Sequence, residues 1–288
     1  MILRTGTARL LKELHDELAK RTLVLWNAQS GRTYGHYVPW MSCLPRPGEA
    51  IVDHPALSDR YAPGSLISSD LQLQTVNNYL GLPQADRIAL DIFKNLAKDQ
   101  AQHPIAQPTV EGPVLELFNR AKESVLASDS LFRKLFDLLV HAVIPLRVSE
   151  SKMNESLDLA RGAVFISFFV PLDEWQIKLG LAHEFGHQAL MLLNSADPFL
   201  SSDISTPVFS GVRMTDRPAV QSLHAATALA FMTLFSRTQP DSTAREATIN
   251  YVAQLRKTLL SLRENCVMTE VGEGILQDYE KLCSESKA

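Results

Sequence analysis

The residues His183-Glu184-Phe185-Gly186-His187 combine side-chain types and a spacing that suit metal chemistry. On a helix, positions four apart share a face, so His183 and His187 project together and can grip one ion. Glu184 lies about 100° around the helix from His183, where it can meet a metal-bound water rather than the metal. Two imidazoles on a rigid element leave at least one ligand to be found and open positions for chemistry.

The third ligand has several candidates. Gln188 to Leu193 contain neither Gly nor His, which excludes the short continuation of the metzincin pattern. A carboxylate from a later helix would have to come from Glu246, Glu264 or Glu270, all in ordinary solvated-face contexts. His224 is the only histidine after His187 and is favoured, with Asp216 as the alternative. Arg213 and Arg217 flank Asp216 just ahead of the segment that carries His224. An arginine fork suits bidentate binding of a carboxylate, although a structural Arg–Asp pair would use the same residues.

The elements that must position these groups are legible from periodicity. An amphipathic helix is expected over Thr7 to Trp26, with Leu10, Leu11, Leu14 and Leu18 inward. A proline-rich irregular stretch follows from Ala28 to Ser65, long enough to serve as a lid or substrate wall. Helices are expected over Leu66 to Tyr79, Gln84 to Gln100 and Val114 to His141, with a linker at His103 to Pro108. Two β-rich runs, Val143 to Val148 and Ala163 to Val170, suggest a hairpin with a long connection. The histidine helix starts soon afterwards, with Asp173 as its N-cap. Strand followed by metal-binding helix is the arrangement of zincin-type folds.

After Asn194 the chain reads as irregular, and helices return over Pro218 to Arg237, Thr243 to Arg263 and Thr269 to Leu282. The expected fold class is mainly α with a small β-sheet (α+β). Residues 1–110 read as a helical and irregular region that could recognise substrate. Residues 111–288 read as the metal-binding catalytic region, in one continuous globular unit with the rest.

Composition sets the outer bounds. The 288 residues carry 45% hydrophobic and 21% charged side chains, ordinary for a globular protein. A net charge of -4 gives no electrostatic case for nucleic acid or an anionic membrane. No uninterrupted apolar run approaches the roughly 18–20 residues of a membrane span, and the start lacks a signal peptide's apolar core. Cys43, Cys266 and Cys283 are odd in number and widely spaced, which suits a reducing, cytoplasmic setting.

Three blocks, His183 to Gln188, Ser210 to Pro218, and Leu223-His224, together resemble the HExxH-motif family of peptide-modification proteins associated with ribosomally made natural products. The upstream run Arg161 to Ser167 resembles that family's strand before the helix, so the likeness covers Arg161 to Arg237. Val212 stands where a tryptophan commonly precedes the arginine, a difference that bears on the peptide-binding wall. Some family members are iron(II)- and 2-oxoglutarate-dependent peptide β-hydroxylases. The resemblance therefore implies Fe(II) held by His183, His187 and His224, with 2-oxoglutarate bound by Arg213 or Arg217. Glu184 would then support a ligand or a water. It also implies a peptide substrate, with a leader peptide or carrier protein as a possible partner. The rival expectation is a zinc peptidase in which Glu184 is the general base. A metal-free binding or scaffold protein is the third class.

Overall fold

A computed structural model describes residues 11–17, 20, 24, 112–140, 142–147, 155–156, 163–168, 171, 173–196 and 198–285. Residues 11–17 are helical and Leu11 is buried, within the expected N-terminal helix. The irregular stretch at 28–65, the helices at 66–79 and 84–100, the linker at 103–108 and the boundary at 110 lie outside the described residues. The chain is mainly helical with little sheet, as its periodicity indicates. It forms two compact units, one of residues 1–11, 124–135 and 181–288, the other of residues 12–123 and 136–180.

The second unit contains a three-stranded sheet. Its strands are β1 (Ala142–Arg147), β2 (Glu155–Ser156) and β3 (Ala163–Phe168), in the order β1-β3-β2. The expected hairpin is not formed: β1 and β3 run parallel, Ala142 facing Ala163 and Arg147 facing Phe168. A parallel pair needs a crossover of a dozen or more residues, and residues 148–162 are enough for one. β2 occupies part of that connection and pairs antiparallel with β3. Pro145 sits in β1, an edge strand, where its missing N–H costs no central ladder bond.

The expected helix from Val114 to His141 is two helices, α1 (Gly112–Ser128) and α2 (Ser130–Leu139). Asp129 causes the break. Its side chain accepts the Leu131 N–H at 2.7 Å and its carbonyl accepts the Phe132 N–H at 3.1 Å, which restarts the helix. Within the second unit, Phe118 of α1 packs edge-on against Phe168 of β3, with ring centres 5.6 Å apart.

In the first unit the helices are the later part of α3 (Glu174–Ala196), α4 (Ala219–Arg237), α5 (Ser242–Asn265) and α6 (Glu270–Glu285). A ribbon of β4 (Pro207–Ser210) and β5 (Thr215–Pro218) precedes α4, where the sequence suggests only irregular chain. α4 begins at Ala219 rather than Pro218, because Pro218 is still paired with Pro207 and holds an extended backbone. Phe132 meets Phe185, Phe231 and Phe235 at ring-centre distances of 6.0–6.4 Å in the core.

α4 is apolar nearly all round, the composition of a helix surrounded by its own protein. Among the described residues it alone has the length and hydropathy of a membrane span, and 78% of that window is buried inside the protein. Its hydroxyls are accommodated locally: Thr227 and Thr233 donate to the carbonyls of Leu223 and Leu229. Tyr279 of α6 then donates its buried hydroxyl to Thr227 Oγ1 at 2.8 Å.

Asp241 caps α5 by accepting the Ala244 N–H at 2.7 Å. Replacing Asp241 with Ala should cost about 1 kcal/mol and lower the melting temperature by roughly 2–4 °C. Thermal unfolding followed by circular dichroism checks this, and an unchanged transition would mean that the cap contributes nothing.

Candidate metal centre

The expected cap of α3 is present, Asp173 Oδ1 accepting the N–H groups of Trp175 at 2.9 Å and Gln176 at 3.4 Å. The helix that follows brings the Nε2 atoms of His183 and His187 to 2.9 Å. Two nitrogens at right angles, each about 2.1 Å from one ion, would stand about 3 Å apart. The pair therefore fits a metal ion with two neighbouring imidazole ligands. Glu184 is fully buried, and its Oε1 lies 3.6 Å from His183 Nε2. Ligand atoms of His183, Glu184 and His187 all fall within 4.8 Å of one another, the one such group among the described residues.

Gly186 is what allows a second helix to close on this site. A Cβ there would lie 2.9 Å from Cδ2 and 3.0 Å from Cγ of Phe231, so the ring of α4 occupies the glycine's side-chain space. Seven residues before Phe231, almost two turns along the same helix, His224 reaches His187 with an Nδ1–Nδ1 separation of 3.2 Å. The contact is made at the nitrogen of His187 that does not face His183. The three rings are thus contiguous, but their closest nitrogens do not converge on a single point.

The remaining carboxylates stand apart. Glu246, Glu264 and Glu270 are exposed, and none belongs to the His183 group. Asp216 is also exposed and sits opposite Phe209 in the ribbon, while Arg217 sits opposite Val208. Strand alternation sends Asp216 and Arg217 to opposite faces. Among the described residues no ion pair joins Asp216 to either arginine.

Arg213 lies in the four-residue turn between β4 and β5, its N–H donated to the Ser210 carbonyl at 3.2 Å. The next residue, Met214, is exposed and has a positive φ of 55°, which costs a side-chain-bearing residue about 1–2 kcal/mol. Arg213 is close enough for its charge to depress the basicity of His183, and Arg213 likewise depresses that of Arg217 after burial. Two cations held near one another, with no carboxylate paired to them among the described residues, are suited to an anionic ligand.

Burial is the largest influence on the histidines. It lowers His183 to about 4, with the charges of His224 and Arg213 adding to the effect. Burial, then His183 and His224, hold His187 well below its usual value. Both rings are consequently neutral near pH 7, with lone pairs available to a metal.

The ribbon escaped sequence reading because its strands are four residues each and rich in proline and polar groups. The alternation of Val208 and Ser210 inward, closed by Gly211, was the available signal. Compared with known protein families and with curated proteins, this chain finds no match.

Replacing Gly186 with Ala should destabilise the protein by roughly 1–3 kcal/mol, because the buried Phe231 ring must move. It should also weaken metal binding; thermal unfolding with and without metal measures both, and a variant as stable as wild type would remove Phe231 as the constraint.

A second expectation concerns pH. The unfolded chain takes up a proton on His183 near 6.5, whereas the folded metal-free protein resists until about 4. The stabilisation is complete above pH 6.5 and is lost as the pH falls to about 4, by at most on the order of 3 kcal/mol. Denaturant unfolding of wild type and His183→Gln across this range should show a steeper loss in wild type; parallel curves would refute it.

Proposed function

We propose that this chain is a non-haem iron(II), 2-oxoglutarate-dependent oxygenase that β-hydroxylates a residue of a peptide or carrier-bound amino acid. The observation that carries the reading is the pair Arg213 and Arg217, cations without an Asp216 partner among the described residues, with the charge of Arg213 felt at His183. A cosubstrate with a metal-binding 2-oxo acid at one end and a carboxylate at the other matches that combination. Iron(II) with 2-oxoglutarate supplies a balanced oxidation: dioxygen and the cosubstrate give succinate and carbon dioxide while one C–H becomes C–OH.

The chain's own contributions are binding and orientation. His183 and His187 would hold the ion, with His224 either completing the set or fixing the His187 ring through its contact at Nδ1. Arg213 and Arg217 would hold the far carboxylate, and Glu184 would orient a ligand or water from its buried position. Residues 1–110 would contribute substrate recognition, through a leader peptide or a carrier, and the protein would work in the cytoplasm without nucleic acid or membrane.

The zinc-peptidase reading retains one supporting observation, the buried Glu184 carboxylate beside the two histidines. There Glu184 would take a proton from a zinc-bound water.

Anaerobic reconstitution with iron(II), followed by 2-oxoglutarate and air, should yield succinate that a His183→Ala control does not. A visible charge-transfer band on adding 2-oxoglutarate to the iron form gives a check independent of turnover. The Arg213→Ala/Arg217→Ala double variant should bind 2-oxoglutarate about a hundredfold more weakly, or worse, from the loss of charge-assisted hydrogen bonds. Absence of succinate, together with zinc-dependent peptide cleavage that Glu184→Gln abolishes, would overturn the oxygenase in favour of the peptidase.

A further inference from the structure

The ribbon of β4 and β5 has two outer edges, and the described residues close only one of them. On β4, the Phe209 N–H donates to Ser261 Oγ at 3.0 Å and the Gly211 N–H to Thr258 Oγ1 at 2.8 Å, so hydroxyls of α5 stand in for a third strand. Those bonds also fix the phase of the ladder. Hydrogen-bonded and non-hydrogen-bonded partners alternate along an antiparallel pair. Phe209 points its N–H outward, so Phe209 and Asp216 are a non-hydrogen-bonded pair, and Asp216 turns its own N–H and carbonyl to the outer edge of β5. The same phase sets Pro207 opposite Pro218, where a missing N–H costs no ladder bond.

The β5 edge is open. Thr215, Asp216 and Pro218 are exposed, and among the described residues no hydrogen bond takes up the Asp216 N–H or carbonyl. A second observation lies at the turn end of the same strand. Met214 is 56% exposed and holds a left-handed backbone with φ 55°. Glycine would adopt that conformation without strain, and strained residues gather where ligands are clamped. An apolar side chain held out in this way, beside a free backbone donor and acceptor, fits an extended chain laid along β5.

We propose that a peptide adds to the outer edge of β5 as a third, antiparallel strand. One of its residues exchanges both backbone bonds with Asp216, and a neighbouring apolar side chain rests on Met214. The inference rests on the reading of the substrate as a peptide and names how that peptide is held. β5 leads directly into α4, so the peptide is anchored on the element that carries His224. Backbone recognition tolerates many sequences, and selectivity falls to the facing side chains. Paired residues share a face, so the peptide residue opposite Asp216 meets its exposed carboxylate. Lysine or arginine is favoured there, and an acidic residue is disfavoured.

The test uses the full chain with manganese(II) and 2-oxoglutarate, screened against a bead library of short random-sequence peptides. Bound peptides should be enriched in lysine or arginine at one position. N-methylation of that residue's amide alone should weaken binding about tenfold, the loss of one backbone hydrogen bond. Asp216→Pro removes the outward N–H without touching a ladder bond and should weaken the same peptides at least as much. Asp216→Asn should keep neutral peptides and lose the preference for basic ones. Met214→Gly should weaken binding while the melting temperature holds or rises. Peptides that bind Asp216→Pro as tightly as wild type, or that tolerate an N-methyl group at every position, would overturn the strand addition alone. A wild-type chain that retains no peptide would sink the peptide-substrate reading, and this docking mode with it.

Discussion

The close approach of α3 and α4 at Gly186 is the constraint on which the rest of the centre depends. Phe231 fills the volume a side chain at position 186 would need. That contact fixes the distance between the helices, and His224 consequently reaches His187 across the gap. A ligand pair within one helix needs only the helical repeat. Any contribution from a second helix needs an interhelical distance set by packing, and here an aromatic ring on a bare backbone sets it.

The same packing makes the site electrically unusual. Three imidazoles, one buried and two partly buried, and a buried carboxylate lie together in the middle of α3 and the first turns of α4. Burying such groups is unfavourable unless they interact with one another or with an ion. Burial keeps His183 and His187 neutral, and Arg213 reinforces this at His183 from the ribbon side. Neutral imidazoles are what a metal requires, so packing and ligand chemistry work in the same direction.

The sequence disclosed the parts of this arrangement governed by local rules. The four-residue spacing of His183 and His187, the cap at Asp173, and the three C-terminal helices follow from repeat and capping chemistry, and their ends shift by at most a few residues. Features governed by distant partners were not legible. Asp129 interrupts a run whose apolar period continues on both sides, because one aspartate can cap a new helix without disturbing the pattern. The strand pairing of β1 with β3 is parallel because of where the intervening chain goes, which composition does not encode. The nitrogen through which His224 meets His187 is likewise a matter of ring orientation, invisible in a string of residue types.

One further consequence comes from the junction at Pro218, which ends β5 and leads into α4 with no intervening loop. Ribbon and helix are therefore joined as a lever with a stiff elbow, since proline holds its own backbone torsion nearly fixed. Arg217 is one residue before the elbow and His224 six residues after it. An anion held by Arg217 would therefore bear on the first two turns of α4, which carry His224. Were an ion held at the histidines as well, thermodynamic reciprocity would make the coupling two-way: whatever the anion did for the ion's affinity, the ion would do for the anion's.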